Sequence, residues 1–188
     1  MLYLKALIVA MLLGAPSLQA QVSNEQIQFS YTACNNITSE QLTSLQLYQR
    51  GVPLKVALET LPNISRGAQK RLRYIYDLAK AQGILNTYSD INTNFARCAT
   101  LVHSKFGTPA VDQREYGYYY CAGENKRRFE IILYIDQVHT PEKLLELVPS
   151  SHHQVALRYF DLIEREGLLA AFDYTANNLK ACLNNLSE

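Results

Sequence analysis

No glycine-rich phosphate loop, dinucleotide fingerprint, HExxH helix or GxSxG elbow occurs in this sequence. The short motifs of nucleotide, zinc-protease and serine-hydrolase chemistry are therefore missing, and no catalytic residue and no cofactor is assigned. The four cysteines include no CxxC pair, which argues against a thioredoxin-type redox centre and against a zinc site with close-spaced ligands. An excess of either charge is lacking too. Lys and Arg total 18 against 17 Asp and Glu, a formal net charge of +1, so the basic excess of a nucleic-acid binder is missing and no nucleic-acid partner is expected. The clusters Lys70-Arg71-Arg73 and Lys126-Arg127-Arg128 read as solvated helix faces.

The first twenty residues have the pattern of an export signal. Lys5 gives a basic start, Ala6 to Ala15 form an apolar run, and Pro16-Ser17-Leu18-Gln19-Ala20 ends on a small residue. The apolar run is shorter than the roughly 20 residues that span a bilayer, and no later stretch is apolar enough, so no membrane span is expected after cleavage. Residues 1–20 are assigned as a signal peptide, and the remaining 168 of the 188 residues suffice for one ordinary domain or two small ones. The expected location is periplasmic or secreted.

In such a setting an even cysteine count predicts disulfides. Cys34, Cys98, Cys121 and Cys182 allow three pairings, and an internal repeat chooses among them. Leu72 to Leu85 and Leu157 to Leu169 align with one single-residue gap, and seven of thirteen pairs are identical. Cys34 precedes Pro62 by 28 residues and Cys121 precedes Pro149 by the same 28, while "FARC" ending at Cys98 matches "LKAC" ending at Cys182. The repeat predicts two tandem homologous units in an all-α fold, residues 21–106 and 116–188, with a linker at 107–115. Each unit has three to four helices closed by one disulfide, Cys34–Cys98 and Cys121–Cys182. Pairing Cys34 with Cys121 and Cys98 with Cys182 would also preserve the repeat.

Periodicity and punctuation place the helices. Thr38-Ser39-Glu40-Gln41 has capping-box spacing and predicts a helix start at Thr38. Gly51 ends that run, Pro53 opens a short helix to Leu61, and Ser65 opens another running to Gln82 and Gly83. The last helix of the first unit is placed near Ser89, with Ile91, Phe95, Cys98 and Val102 on one stripe; Phe172, Leu179, Cys182, Leu183 and Leu186 form its counterpart. Around residues 116–135 a β-hairpin competes with helix, because Phe129 to Ile135 is rich in β-formers and Gly123 to Lys126 could turn.

The stretch "EYGYYYC" concentrates tyrosines before Cys121. Tyr116 and Tyr118 match Phe29 and Tyr31 in spacing to the cysteine and read as packing. Tyr119 and Tyr120 have no aromatic counterpart and are the candidate binding surface. His103, His139, His152 and His153 do not recur between the copies, so no metal site is assigned, and His103 reads as a packing residue. Glu164 and Glu166 read as a solvated face. The matched Leu72 and Leu157 are expected to be equally buried. By elimination, the sequence points to a small helical binding protein, an inhibitor, immunity-type or adaptor protein that meets another protein. The alternatives are an envelope enzyme with dispersed catalytic residues and a carrier of a small apolar ligand.

Overall fold

The computed structural model describes residues 29–61 and 64–186, so the signal peptide expected at residues 1–20, Pro62 and Ser187 lie outside the described residues. Those residues form α-helices joined by short links, with no strand among them. In chain order the first four are α1 (Tyr31–Gln49), α2 (Leu54–Thr60), α3 (Arg66–Gln82) and α4 (Ile84–Phe106). They are followed by α5 (Arg114–Gln137), α6 (Pro141–Leu147), α7 (His153–Glu166) and α8 (Leu168–Asn184), with a 3₁₀ turn, Ser150–His152, before α7.

The four long helices α1, α4, α5 and α8 all touch one another, α3 packs on α1 and α4, and α7 packs on α5 and α8. Their inward faces make one continuous core that includes Leu42 and Leu45 of α1, Ile91 and Phe95 of α4, Phe129 and Ile132 of α5, and Phe172 and Leu179 of α8. Ala57, Leu72 and Tyr76 form a smaller cluster under α2. Burial at this scale contributes about 25 cal/mol per Å² of apolar surface removed from water, and it falls on side chains three and four residues apart.

Local signals fix several ends. Gly51 sits at φ 73°, just past α1. Pro53 caps α2, and the Ser65 hydroxyl accepts the Ala68 N–H at the head of α3. Gly83 and Gly167 have φ 87° and 86° and let one helix abut the next with no intervening loop. For that reason α4 begins at Ile84 rather than near Ser89.

Three further expectations are corrected. α1 begins at Tyr31, where the Ser30 hydroxyl caps the Ala33 N–H at 3.0 Å, and Thr38 is buried in mid-helix rather than capping one. The hairpin near 116–135 is absent: Arg114–Gln137 is one helix. Ile131 and Ile132 are both buried while Leu133 is 40% exposed, a pattern of period 3.6 rather than 2. Gly117 stands inside that helix against Leu186, where a Cβ would fall 2.5 Å from the leucine Cδ2. α5 also takes in Arg114 and Glu115, which shortens the link after α4 to residues 107–113.

The disulfides join Cys34 to Cys98 and Cys121 to Cys182, with Cα separations of 5.9 and 5.8 Å. Each ties the second turn or so of a long helix to the closing helix of its half, and no cysteine remains free.

Candidate functional site

α4 and α5 diverge at the surface and leave an open groove of about 620 Å³. One wall carries Thr93, Ala96, Arg97, Thr100 and Leu101; the other carries Lys126, Phe129, Glu130 and Leu133. Both sets follow i, i+3, i+4, i+7 spacing, so each wall is one helix face. The groove lies beside the core stripe of Ile91, Phe95 and Val102. Phe129 forms part of its floor at 5% exposure, and Leu101 stands on its rim at 61%. Polar groups there are partly committed: the Thr100 hydroxyl donates to the Ala96 carbonyl at 2.9 Å, and Lys126 lies 3.8 Å from Glu130. Arg97 makes no ion pair among the described residues. Such a surface can take up apolar side chains and a carboxylate.

A second hollow, about 830 Å³, lies where α1 starts, α4 ends and α5 starts. Its polar groups serve the fold. Glu115 accepts the Tyr31 N–H at 2.8 Å, the Thr32 N–H at 3.3 Å and the Thr32 hydroxyl. With Ser30, this carboxylate satisfies the first backbone donors of α1 and meets the positive end of its dipole. The anion site that a helix N-terminus offers is thus filled from within the chain.

The α1–α8 seam is closed by a polar network. The Tyr88 hydroxyl donates to Asp173 and lies 3.1 Å from Gln49 Oε1. Gln46 donates to Asp173 at 3.0 Å and to Asn177 at 3.2 Å, Gln49 donates to Asp173 at 2.7 Å, and the Lys180 ammonium donates to Gln46. Burial, reinforced by the hydrogen bond and charge of Asp173, holds the Tyr88 phenol far above its ordinary range. Burial and the charge of Arg50 hold Lys180 below the usual lysine range. Perturbed groups in a cleft are candidates for catalysis, but Tyr88 is fully buried and cannot meet a substrate. The network locks helices together.

A Ser–His–acid alignment at the head of α7 also falls short. Ser151 Oγ is 2.9 Å from His152 Nδ1, but Glu124 lies 3.9 Å from His152 Nε2 and pairs with Arg128 at 2.9 Å. No proton relay is assembled at that distance. Among the described residues no three His, Cys, Asp or Glu side chains converge as a metal site would require.

The chain matches no protein-family model, no curated protein and no solved structure.

The tyrosines singled out from sequence do not share a surface. Tyr119 is half-buried, edge-on to Tyr31 at 5.2 Å and near His103 and Tyr116 at 6.1 Å, so it joins α5 to α1 and α4. Tyr120, one residue on and about 100° round the helix, is 55% exposed. His103 is an exposed residue whose ring stacks on Tyr119 and whose Nδ1 lies 3.2 Å from the Tyr31 hydroxyl. Glu164 and Glu166 are exposed. The basic clusters are partly paired: Arg71 with Glu40, Arg128 with Glu124. Sequence reasoning missed the groove and Glu115. The i, i+3, i+4, i+7 set at 126–133 was visible, but nothing in it distinguishes an open face from a covered one.

Proposed function

We propose that this is an exported helical binding protein that meets another protein through the α4–α5 groove, in the manner of an inhibitor, immunity-type or adaptor protein. The observation that carries this reading is the apolar lining itself, Phe129, Leu133 and the 61% exposed Leu101, set between two helices and open to solvent. The three line one groove, and it is a contiguous apolar patch rather than a singly exposed side chain that marks an interaction site. The two disulfides fit an oxidising location outside the cytosol, and no helix among the described residues is long and apolar enough to cross a membrane.

We further propose that residues 21–106 and 116–188 are homologous units about a pseudo-twofold axis. The sequence of long, short, intermediate and long helices occurs twice, Gly83 and Gly167 adopt the same left-handed backbone, and the disulfides span 64 and 61 residues. Under this alignment Leu133, Ala96 and Thr93 of the groove correspond to Gln46, Lys180 and Asn177 of the polar seam. One side is therefore bridged and the other is open.

The test places a photo-crosslinking residue at position 101, with the exposed position 157 of α7 as control, in the mature chain within its own envelope. The reading expects one stoichiometric protein joined at 101 and lost when Leu133→Lys is added, with the unfolding temperature unchanged. Recovery of the chain alone from both positions would overturn it. A second reading, a carrier of a small apolar ligand, is favoured by the presence of Phe129 and Leu133 in the lining. It predicts an extractable small molecule that co-purifies with the native chain and is absent from the Leu133→Lys variant.

A further inference from the structure

Resting on the protein-binding reading, the geometry points to the partner's chemistry: we infer an amphipathic helix of about two turns that seats three apolar side chains in the α4–α5 groove and places a carboxylate against Arg97. Length comes first. The α4 wall runs from Thr93 to Leu101 and the α5 wall from Lys126 to Leu133, which at about 1.5 Å per residue is on the order of 10–12 Å, two helical turns. Three apolar positions at i, i+3 or i+4, and i+7 cover that distance.

The walls also select the partner's backbone. Both belong to unbroken helices, Ile84–Phe106 and Arg114–Gln137, whose main-chain groups are bonded internally. An extended peptide would find no strand edge to pair with and would leave its own N–H and C=O groups unsatisfied against an apolar floor. A helix satisfies them itself.

Charge selects one further contact. Lys126 and Glu130 lie on the same wall at 3.8 Å and largely cancel, which leaves the exposed Arg97 as the uncompensated charge on the opposite wall. A guanidinium recognises a carboxylate through two parallel N–H donors, so Asp or Glu is the fitting residue. The α1–α8 seam is instead bridged by Lys180, Gln46 and Asn177, so the inferred site is a single one. One partner helix binds per chain.

The experiment selects a display library of helical 14-residue peptides on the intact mature protein, with the Leu101→Lys variant as counter-selection. Enrichment of Leu, Ile or Phe at three positions of one face, plus Asp or Glu at one flanking position, is expected. On an Arg97→Glu variant that flanking position should change to Lys or Arg, and affinity for the original peptides should fall about tenfold or more. Enrichment of apolar faces with no acidic position overturns the inference and leaves the groove intact as a protein-binding site. Failure to enrich any peptide overturns the helical partner, while crosslinking from position 101 decides separately whether the groove binds protein at all. Sedimentation as a dimer that Leu101→Lys dissolves would assign the groove to a second copy of this chain and would also overturn the proposal.

Discussion

Tyr88 and Phe172 stack with ring centroids 5.4 Å apart and planes within 11°. They follow Gly83 and Gly167 by the same five residues, the meeting of like positions that the proposed pseudo-twofold arrangement calls for. Only Tyr88 carries a hydroxyl, and that group reaches Asp173. Tyr88→Phe should keep the stack and strip one donor from the half-buried carboxylate, at a cost of about 1–3 kcal/mol. A double-mutant cycle with Asp173→Ala, read by urea unfolding, should give a coupling energy of about 1 kcal/mol or more. A coupling below about 0.5 kcal/mol would show that the hydroxyl adds nothing to the ring contact.

Glu115, at the start of α5, stands 84 residues from Tyr31 and caps α1. Glu115→Ala should cost about 1–2 kcal/mol, the range for a lost cap combined with a lost charge at a helix N-terminus, and should lower the melting temperature by a few degrees. Glu115→Gln retains one oxygen acceptor and should cost less. Equal losses for the two variants would assign the effect to side-chain packing rather than to capping.

The matched leucines part company. Leu72 is 3% exposed in the cluster with Ala57 and Tyr76, but Leu157 is 42% exposed. Leu72→Ala should cost about 2–5 kcal/mol, whereas Leu157→Ala should stay within about 0.5 kcal/mol. Thermal unfolding of the two variants decides, and equal losses would mean that α7 is more covered than its exposure indicates.

Those leucines show where the sequence is legible. Gly51, Pro53, Ser65 and Gly83 act on their own few residues, and the ends they mark were readable. The all-helical class and the cysteine pairs followed from patterning that repeats along the chain. Identity and burial separate at Leu157: buried Leu72, Ile75 and Tyr76 occupy the same spacing as buried Ala156, Tyr159 and Phe160, so buried positions align 84 apart while the repeated letters "LRY" align 85 apart. Exact matches drew the register onto the wrong face. Thr38 misled for a related reason, since a capping-box pattern inside a longer helix is four ordinary helical residues. Glu115 and the groove depend on residues brought together by tertiary packing, and no local spacing encodes that.

The two disulfides close loops of 64 and 61 residues. Loop entropy changes little with such a difference, so replacing either pair by serine should cost about the same, roughly 4 kcal/mol. Urea unfolding of the Cys34→Ser/Cys98→Ser and Cys121→Ser/Cys182→Ser variants reads both. A markedly smaller loss for one pair would show that its half retains structure in the unfolded chain.

Alkaline pH should unfold the protein through its buried phenols. Desolvation by burial raises Tyr31, Tyr76, Tyr88 and Tyr159, the last to about 12. In the unfolded chain each phenol ionises near 10, whereas the fold keeps it neutral. The stabilisation is complete below about pH 10 and is lost as pH rises toward the folded value, by up to about 1.4 kcal/mol per pH unit for each such group. Lys180 runs the other way, because burial lowers it and its cost is relieved as pH climbs. Tyr174, lowered by its hydrogen bond to Arg158, also opposes the trend. The raised phenols outnumber these two groups, so stability should fall between pH 10 and 12. Tyr159→Phe, which keeps the ring and removes the titrating group, should flatten the curve. Urea midpoints measured from pH 8 to 11.5, together with tyrosinate absorbance, follow both quantities, and a midpoint that stays level through pH 11.5 would contradict the burial of these hydroxyls.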